Sequence, residues 1–309
     1  MTIAEEIRRK WKPRDPRSHK GDYGRVLVVA GSRGMAGAAH LAAFAALRAG
    51  AGLVSLAVPD SIYTVAARRR DEIMVRPVPS TKAGTLARRA LPELLRFSEN
   101  QDVLAVGPGL SQNTETRQVI RNFIARTQAP VVLDADGLNA FRGRPADLSE
   151  CYGRTSALCP STAPPGPRIV PRGGRAVLTP HPGEFLRLFG GTLSRSDPER
   201  KKRAAEIARR FKVILVLKGF HTVTAGPDGK TYTNRTGNPG MATGGAGDVL
   251  TGIIAALIAQ KFSLWDAARF GVYLHGLAGD LAAKKIGGIS LMAGDLLDFL
   301  PAAIRKSLE

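Results

Sequence analysis

The sequence is short of acid, of aromatic rings and of cysteine. Asp and Glu number 26 against 45 Lys and Arg, a formal net charge of +19. A field of that sign attracts anions: nucleotides, dinucleotides, RNA or acidic lipid. The basic residues are dispersed, with short clusters such as Arg68–Arg70 and Lys201–Arg203. A solvated basic surface is therefore the plain reading, and steering of phosphorylated ligands the next. Aromatics make up 6% of the chain and form no RNA-binding motif, which speaks against a basic RNA-binding protein without turnover. No nucleic-acid partner is expected. Two cysteines, Cys151 and Cys159, are too few for a disulfide scaffold and too few for a metal centre, so reduced thiols are expected. No uncharged apolar run reaches the ~18 residues of a membrane span. The first residues have no apolar stretch of the secretory kind, and Glu5 and Glu6 argue against a transit peptide. The expectation is a cytoplasmic protein with no membrane partner.

What is present is alternation. Short β-rich runs fall at Arg25–Gly31, Leu53–Val58, Asp102–Val106, Pro130–Leu133, Arg175–Leu178 and Val213–Leu217. Helical stretches lie between most of them, such as Ala36–Ala49, which Gly50 closes. Strands alternating with helices predict a mainly parallel sheet covered on both faces. Near the end the order changes. His221–Ala225 and Thr231–Asn234 flank Gly226-Pro227-Asp228-Gly229-Lys230, a predicted hairpin. Three apolar helices follow, at about 246–259, 263–283 and 292–307. Residues 141–174 are rich in Pro, Gly and Arg without periodicity, and read as a surface insertion or a lid. With 44% apolar residues, the whole of 1–309 is expected to be one domain carrying that insertion.

Ligands of open parallel sheets gather outside the carboxyl ends of the strands. Glycine-rich and polar segments follow each predicted strand there, including Gly107-Pro108-Gly109 and Asp134-Ala135-Asp136. The same rim would receive His181-Pro182-Gly183-Glu184 and Lys218-Gly219-Phe220-His221-Thr222. The strongest local signal is 237–248, which ends Gly244-Gly245-Ala246-Gly247-Asp248 ahead of an apolar helix. Glycines let backbone approach a phosphate, and the helix start aims free N–H groups and a positive dipole end at the same place. Gly244, Gly245, Ala246 and Gly247 are thus a candidate anion hole, without the Lys-Ser/Thr that would make it a Walker loop. Asp248 is either a helix-start carboxylate or, beside that hole, the catalytic base that takes a proton from an alcohol during phosphoryl transfer. Glu184 is either a first-turn carboxylate or a magnesium contact through water. Asp134 and Asp136 are metal ligands or caps, with nothing to choose between them. Lys218 is a phosphate-binding cation or a surface lysine, and its place at a strand end before glycine favours the former. Gly109 reads as close approach of backbone to a ligand, or as a tight turn.

Six segments in order resemble the NAD(P)H-hydrate dehydratase family: KGDYGRVLVVAGSRGMAGAA at 20–39, VGPGL at 106–110, LDADGLNA at 133–140, LTPHPGE at 178–184, KGFHT at 218–222 and GNPGMATGGAGDVLTG at 237–252. The resemblance spans roughly 20–300. It implies a ribokinase-like three-layer α/β/α sandwich with a mainly parallel central sheet. It implies dehydration of (6S)-NADHX and (6S)-NADPHX, with ADP or ATP as co-substrate and Mg2+. It further implies a homo-oligomer, with a tetramer favoured, and functional pairing with an NAD(P)HX epimerase. By position, Ala39, Gly109, His181 and Asp248 correspond to hydrate contacts, and Lys218, Gly219, Phe220, His221, Thr222 and Gly247 to nucleotide contacts. Phe220-His221 departs from the small residues usual there (KGAGT-like). A hydroxyl kinase of the hydroxymethylpyrimidine or hydroxyethylthiazole kind is the alternative on the same fold.

Overall fold

The computed structural model describes residues 1–148 and 175–309. Its centre is a nine-stranded sheet: β1 Arg25–Val29, β2 Leu53–Pro59, β3 Ile73–Val78, β4 Val103–Val106, β5 Val131–Leu133, β6 Ala176–Leu178, β7 Ile214–Leu217, β8 Val223–Ala225 and β9 Thr231–Thr233. The order is β3-β2-β1-β4-β5-β6-β7-β8-β9. Pairing is parallel from β3 through β7, and antiparallel for β7–β8 and β8–β9.

The inner strands are apolar on both faces because both faces are covered. Val26 and Val28 face one core; Leu27 and Val29 face the other. The first core is filled from helices Ala36–Arg48, Ala246–Ala259, Leu264–Ile286 and Ala293–Leu308, and the second from helices Thr114–Arg126, Pro182–Phe189 and Asp197–Phe211. The result is the expected three-layer α/β/α arrangement. Helix Ala246–Ala259 is buried at every position from Val249 to Ala259, as a helix with no polar stripe must be.

Three expectations need correction. Strand β3 was not among the runs read from sequence. Its Arg76 and Pro77 interrupt the apolar signal, and proline is tolerated there because β3 is an edge strand. His221 lies outside β8, in a left-handed turn with φ +53°. The 141–174 insertion begins too early, since Phe141 and Leu148 are fully buried in the second core. The rest of that segment, 149–174 with Cys151 and Cys159, lies outside the described residues.

The chain runs outward from β1 through β2 to β3, then returns to place β4 on the other side of β1. This reversal opens a crevice at the carboxyl ends of β1 and β4, where open α/β sheets bind ligands.

Candidate active site

The loops after β1 and β4 are tied to one another. The Gly31 amide donates to the Pro108 carbonyl at 2.8 Å, and the Ser32 hydroxyl to the Gly109 carbonyl at 2.8 Å. Gly109 is buried with φ +63°, and a Cβ there would sit 2.9 Å from Met35 Cβ and 3.1 Å from Ala38 Cβ. The chain's own packing already requires glycine at 109. Ala39 is fully buried, facing Gly31; the exposed residue of that stretch is Gly37, and Ala38 is the alanine that reaches Gly109.

Across the crevice, helix Ala246–Ala259 starts from Gly245, whose φ of +92° is glycine territory. No side chain caps this start, so its first amides are free for an anion. The Ala246 amide is partly used, lying 3.5 Å from the Thr243 carbonyl. The candidate hole therefore centres on Gly247 and the amide after it rather than spreading evenly over Gly244–Gly247. Gly244 is exposed, with nothing within 4 Å of where a Cβ would stand.

Asp248 sits in the first turn, partly buried. Among the described residues its carboxylate has no hydrogen-bond donor, whereas its neighbours are saturated. Lys218 Nζ donates to Asp134 Oδ1 at 2.7 Å and lies 3.9 Å from Glu184 Oε2. The Thr251 hydroxyl, one turn beyond Asp248, donates to Asp134 Oδ2 at 2.8 Å. Lys218 Nζ also lies against Gly247, where a Cβ would stand 3.2 Å from it. Three carboxylates thus surround one ammonium. Burial, then the charge of Asp134, pushes the Asp248 carboxyl up to about 7. Burial opposes the charge on Lys218, yet Asp134 and Glu184 outweigh it and hold the ammonium above its ordinary range.

Several sequence readings change here. Lys218 gains carboxylate partners that its strand-end position did not reveal. Asp134, 1% exposed, stands at the N-cap of Ala135–Asn139 but makes no capping bond; it is the counter-ion of Lys218. Asp136 ties two loops together, accepting from the Ser111 amide at 2.8 Å and from Asn139 Nδ2 at 3.2 Å. His181 and Glu184 cap one helix reciprocally. His181 Nδ1 accepts from the Gly183 and Glu184 amides, and Glu184 Oε2 accepts from the His181 amide at 2.9 Å. Burial, then Lys218 and Arg187, holds His181 below its ordinary range, and burial raises Glu184.

Three supports were not singled out from sequence. Thr251 is one. His275 is another: its Nε2–H donates to the Ala246 carbonyl at 2.9 Å, and burial holds the ring neutral, down to about 4. The third is buried Arg200, whose guanidinium donates to the carbonyls of Phe220 at 2.5 Å and Lys218 at 3.3 Å. His275 and Arg200 reach the site from other helices, Thr251 sits one turn along the helix that carries Asp248, and each looks like ordinary helix composition until the fold is known.

Among the described residues no group of three or more His, Cys, Asp or Glu could hold a metal ion. Glu184 and Asp134 already face an ammonium, so the described residues form no resident magnesium cage. Magnesium fits here only as an ion carried in on nucleotide phosphates, as it commonly is. A cavity of about 550 Å³ lined by Trp11, Arg14, Tyr23 and Phe262 opens elsewhere. Lys10 and Lys261 there are paired with Asp266 and Asp102, and Arg14 donates to the Gly50 carbonyl.

A sequence model described as NAD(P)H-hydrate dehydratase matches residues 26–158 and 165–302. The chain belongs to the NAD(P)H-hydrate dehydratase family. It is 48% identical over 309 residues to the bifunctional NAD(P)H-hydrate repair enzyme Nnr of Moorella thermoacetica, covering 100% of this chain and 54% of that protein. Against the Escherichia coli protein of the same name the identity is 35%, covering 99% and 52%. The chain thus spans about half the length of the curated relatives it matches. The ADP/ATP-dependent NAD(P)H-hydrate dehydratase of Bacillus subtilis, co-crystallised with ATP and Mg2+, superposes with a TM-score of 0.77 at 30% identity, covering 98% of this chain and 97% of that one. Hydroxyethylthiazole kinase of Pyrococcus horikoshii shares the fold alone, with a TM-score of 0.59 at 16% identity. No described helix is long and apolar enough to cross a membrane.

Proposed function

We propose that this protein dehydrates (6S)-NADHX and (6S)-NADPHX to NADH and NADPH, using ADP or ATP carried with magnesium. One observation carries the reading: a partly buried carboxylate, Asp248, without a hydrogen-bond donor among the described residues and raised to about 7, stands in the first turn of an uncapped helix. A base poised near neutrality beside free amides suits proton removal from an alcohol during phosphoryl transfer.

In this scheme Asp248 accepts the hydrate's hydroxyl proton as that oxygen bonds to the terminal phosphorus. The bond from phosphorus to the bridging oxygen breaks, leaving AMP from ADP or ADP from ATP. The amides of Gly247 and Asp248 hold the migrating phosphoryl group. The carbon–oxygen bond of the phosphate ester then breaks as the ring-nitrogen lone pair pushes in. Inorganic phosphate departs, and the adjacent carbon gives up a proton to that phosphate or to water. Asp134, Lys218 and Thr251 position the helix and keep a single positive charge beneath the base. Glu184 is the carboxylate assigned in this scheme to the nucleotide's magnesium, through water. Relatives that carry the family's unit within a bifunctional repair enzyme suggest an epimerase as functional partner, and a homo-oligomeric cytoplasmic enzyme is the accompanying proposal.

The test incubates the protein with (6S)-NADHX and magnesium, adding ADP or ATP in separate reactions, and follows the near-ultraviolet absorbance of NADH. Recovery with either nucleotide is expected, together with stoichiometric phosphate. No recovery with either would reject the reading, and accumulation of a stable phosphorylated alcohol would reassign the site to a hydroxyl kinase.

A further inference from the structure

The Lys218–Thr222 loop carries a feature that holding phosphate does not require. Phe220 is 82% exposed, and its ring stacks on His221 with centroids 3.9 Å apart and planes at 27°. A lone exposed aromatic is common and by itself means little. This one is held in place at some cost. His221 adopts φ +53°, a left-handed conformation that is strained for a residue with a side chain. Two contacts keep it there. His221 Nδ1 meets Asp197 Oδ2 at 2.6 Å, and the buried Arg200 guanidinium holds the carbonyls of Phe220 and His221 at 2.5 and 3.5 Å. Asp197 and Arg200 both come from the first turn of helix Asp197–Phe211. The effect is to present the far face of an aromatic ring to solvent, two residues beyond the lysine that lines the anion hole.

We propose that the Phe220–His221 stack is a platform for the base of the nucleotide co-substrate, and that this chain recognises the base by stacking rather than by hydrogen bonds to its edge. The proposal rests on the nucleotide use proposed above. Strain persists where surrounding structure over-determines it, and such places cluster at ligand sites. Aromatic stacking on a base is strong and tolerant of base identity, because every base has a π face. The platform therefore accepts adenine and guanine alike.

Calorimetric titration of the full chain with ADP, GDP and inorganic tripolyphosphate tests this without the dehydration reaction. Phe220→Ala is expected to weaken ADP and GDP by a similar factor, about 5- to 150-fold, with tripolyphosphate affinity unchanged. Phe220→Trp is expected to retain nucleotide affinity. His221→Gly relieves the strain but removes half the stack, and is expected to weaken ADP while raising the thermal midpoint. Unchanged ADP affinity in Phe220→Ala would overturn the platform, as would equal losses for ADP and tripolyphosphate, which would mean a collapsed loop. A loss for ADP without one for GDP would overturn stacking in favour of edge recognition. Failure of the unaltered protein to bind ADP or ATP at all would instead reject the nucleotide-driven function, and the platform with it.

Discussion

Two ionic clusters border the helices Leu264–Ile286 and Ala246–Ala259, and they are built to opposite ends. Near the start of helix Leu264–Ile286, Asp266 and Glu6 face Lys10 and Arg269. Lys10 meets Asp266 at 2.6 Å, and Arg269 meets Asp266 at 2.6 Å and Glu6 at 2.7 Å. Two carboxylates meet two cations. Arg269 holds Glu6 below its ordinary range, and the donors around Asp266 outweigh its burial and lower it too. At the crevice, Asp134, Glu184 and Asp248 gather around Lys218, and Arg187 acts on Glu184 as well. Two carboxylates are served and the third is left over, rising to about 7. A balanced network locks structure, and an unbalanced one stores reactivity. Perturbed groups in clefts mark functional sites for this reason.

The comparison is broken most sharply by removing the leftover acid. Asp248→Asn should lower the dehydration rate about 10²- to 10⁴-fold, the usual worth of a general base, with ADP affinity nearly retained. An unchanged rate places the base elsewhere. Next comes the shared cation. Lys218→Met leaves Asp134 and Glu184 buried without compensation and should cost about 3–5 kcal/mol of stability in urea unfolding. Lys10→Met removes a more exposed partner from the balanced cluster and should cost about 1 kcal/mol or less. Equal costs for the two would erase the distinction.

The pH dependence sharpens it further. Asp248 must be ionised to act as base, so the rate should rise with pH and level off above about 7. Its raised value also means that its contribution to stability is complete below the ordinary carboxylate range and is lost as pH rises through about 7. The stability advantage of Asp248→Asn over the unaltered protein should therefore grow between acid and neutral pH. Glu6 and Asp266 run the other way: their contribution is present above the ordinary carboxylate range and is lost as pH falls through their lowered values. Urea unfolding of Asp248→Asn and Asp266→Asn across pH separates the two signs.

The alternating runs from Arg25 to Leu217 announced a parallel sheet, because strands buried on both faces leave a nearly continuous apolar signature. The glycines at 244–247 before an apolar helix marked the helix start that faces the crevice, because the signal there is local in the chain. Strand β3 escaped notice because an edge strand tolerates the arginine and proline that blur its pattern. Lys218 was read as a phosphate ligand because its strand-end position was visible and its partner was not.

The residues alone determined the layer architecture and the identity of the acid at 248, since periodicity and turn chemistry are written in neighbouring positions. Only the folded chain decided that Asp134, 84 positions from Lys218 and 117 from Thr251, would claim the lysine and leave Asp248 unpaired. Charge balance depends on distances across the sheet, and those are fixed by packing rather than by any stretch of sequence.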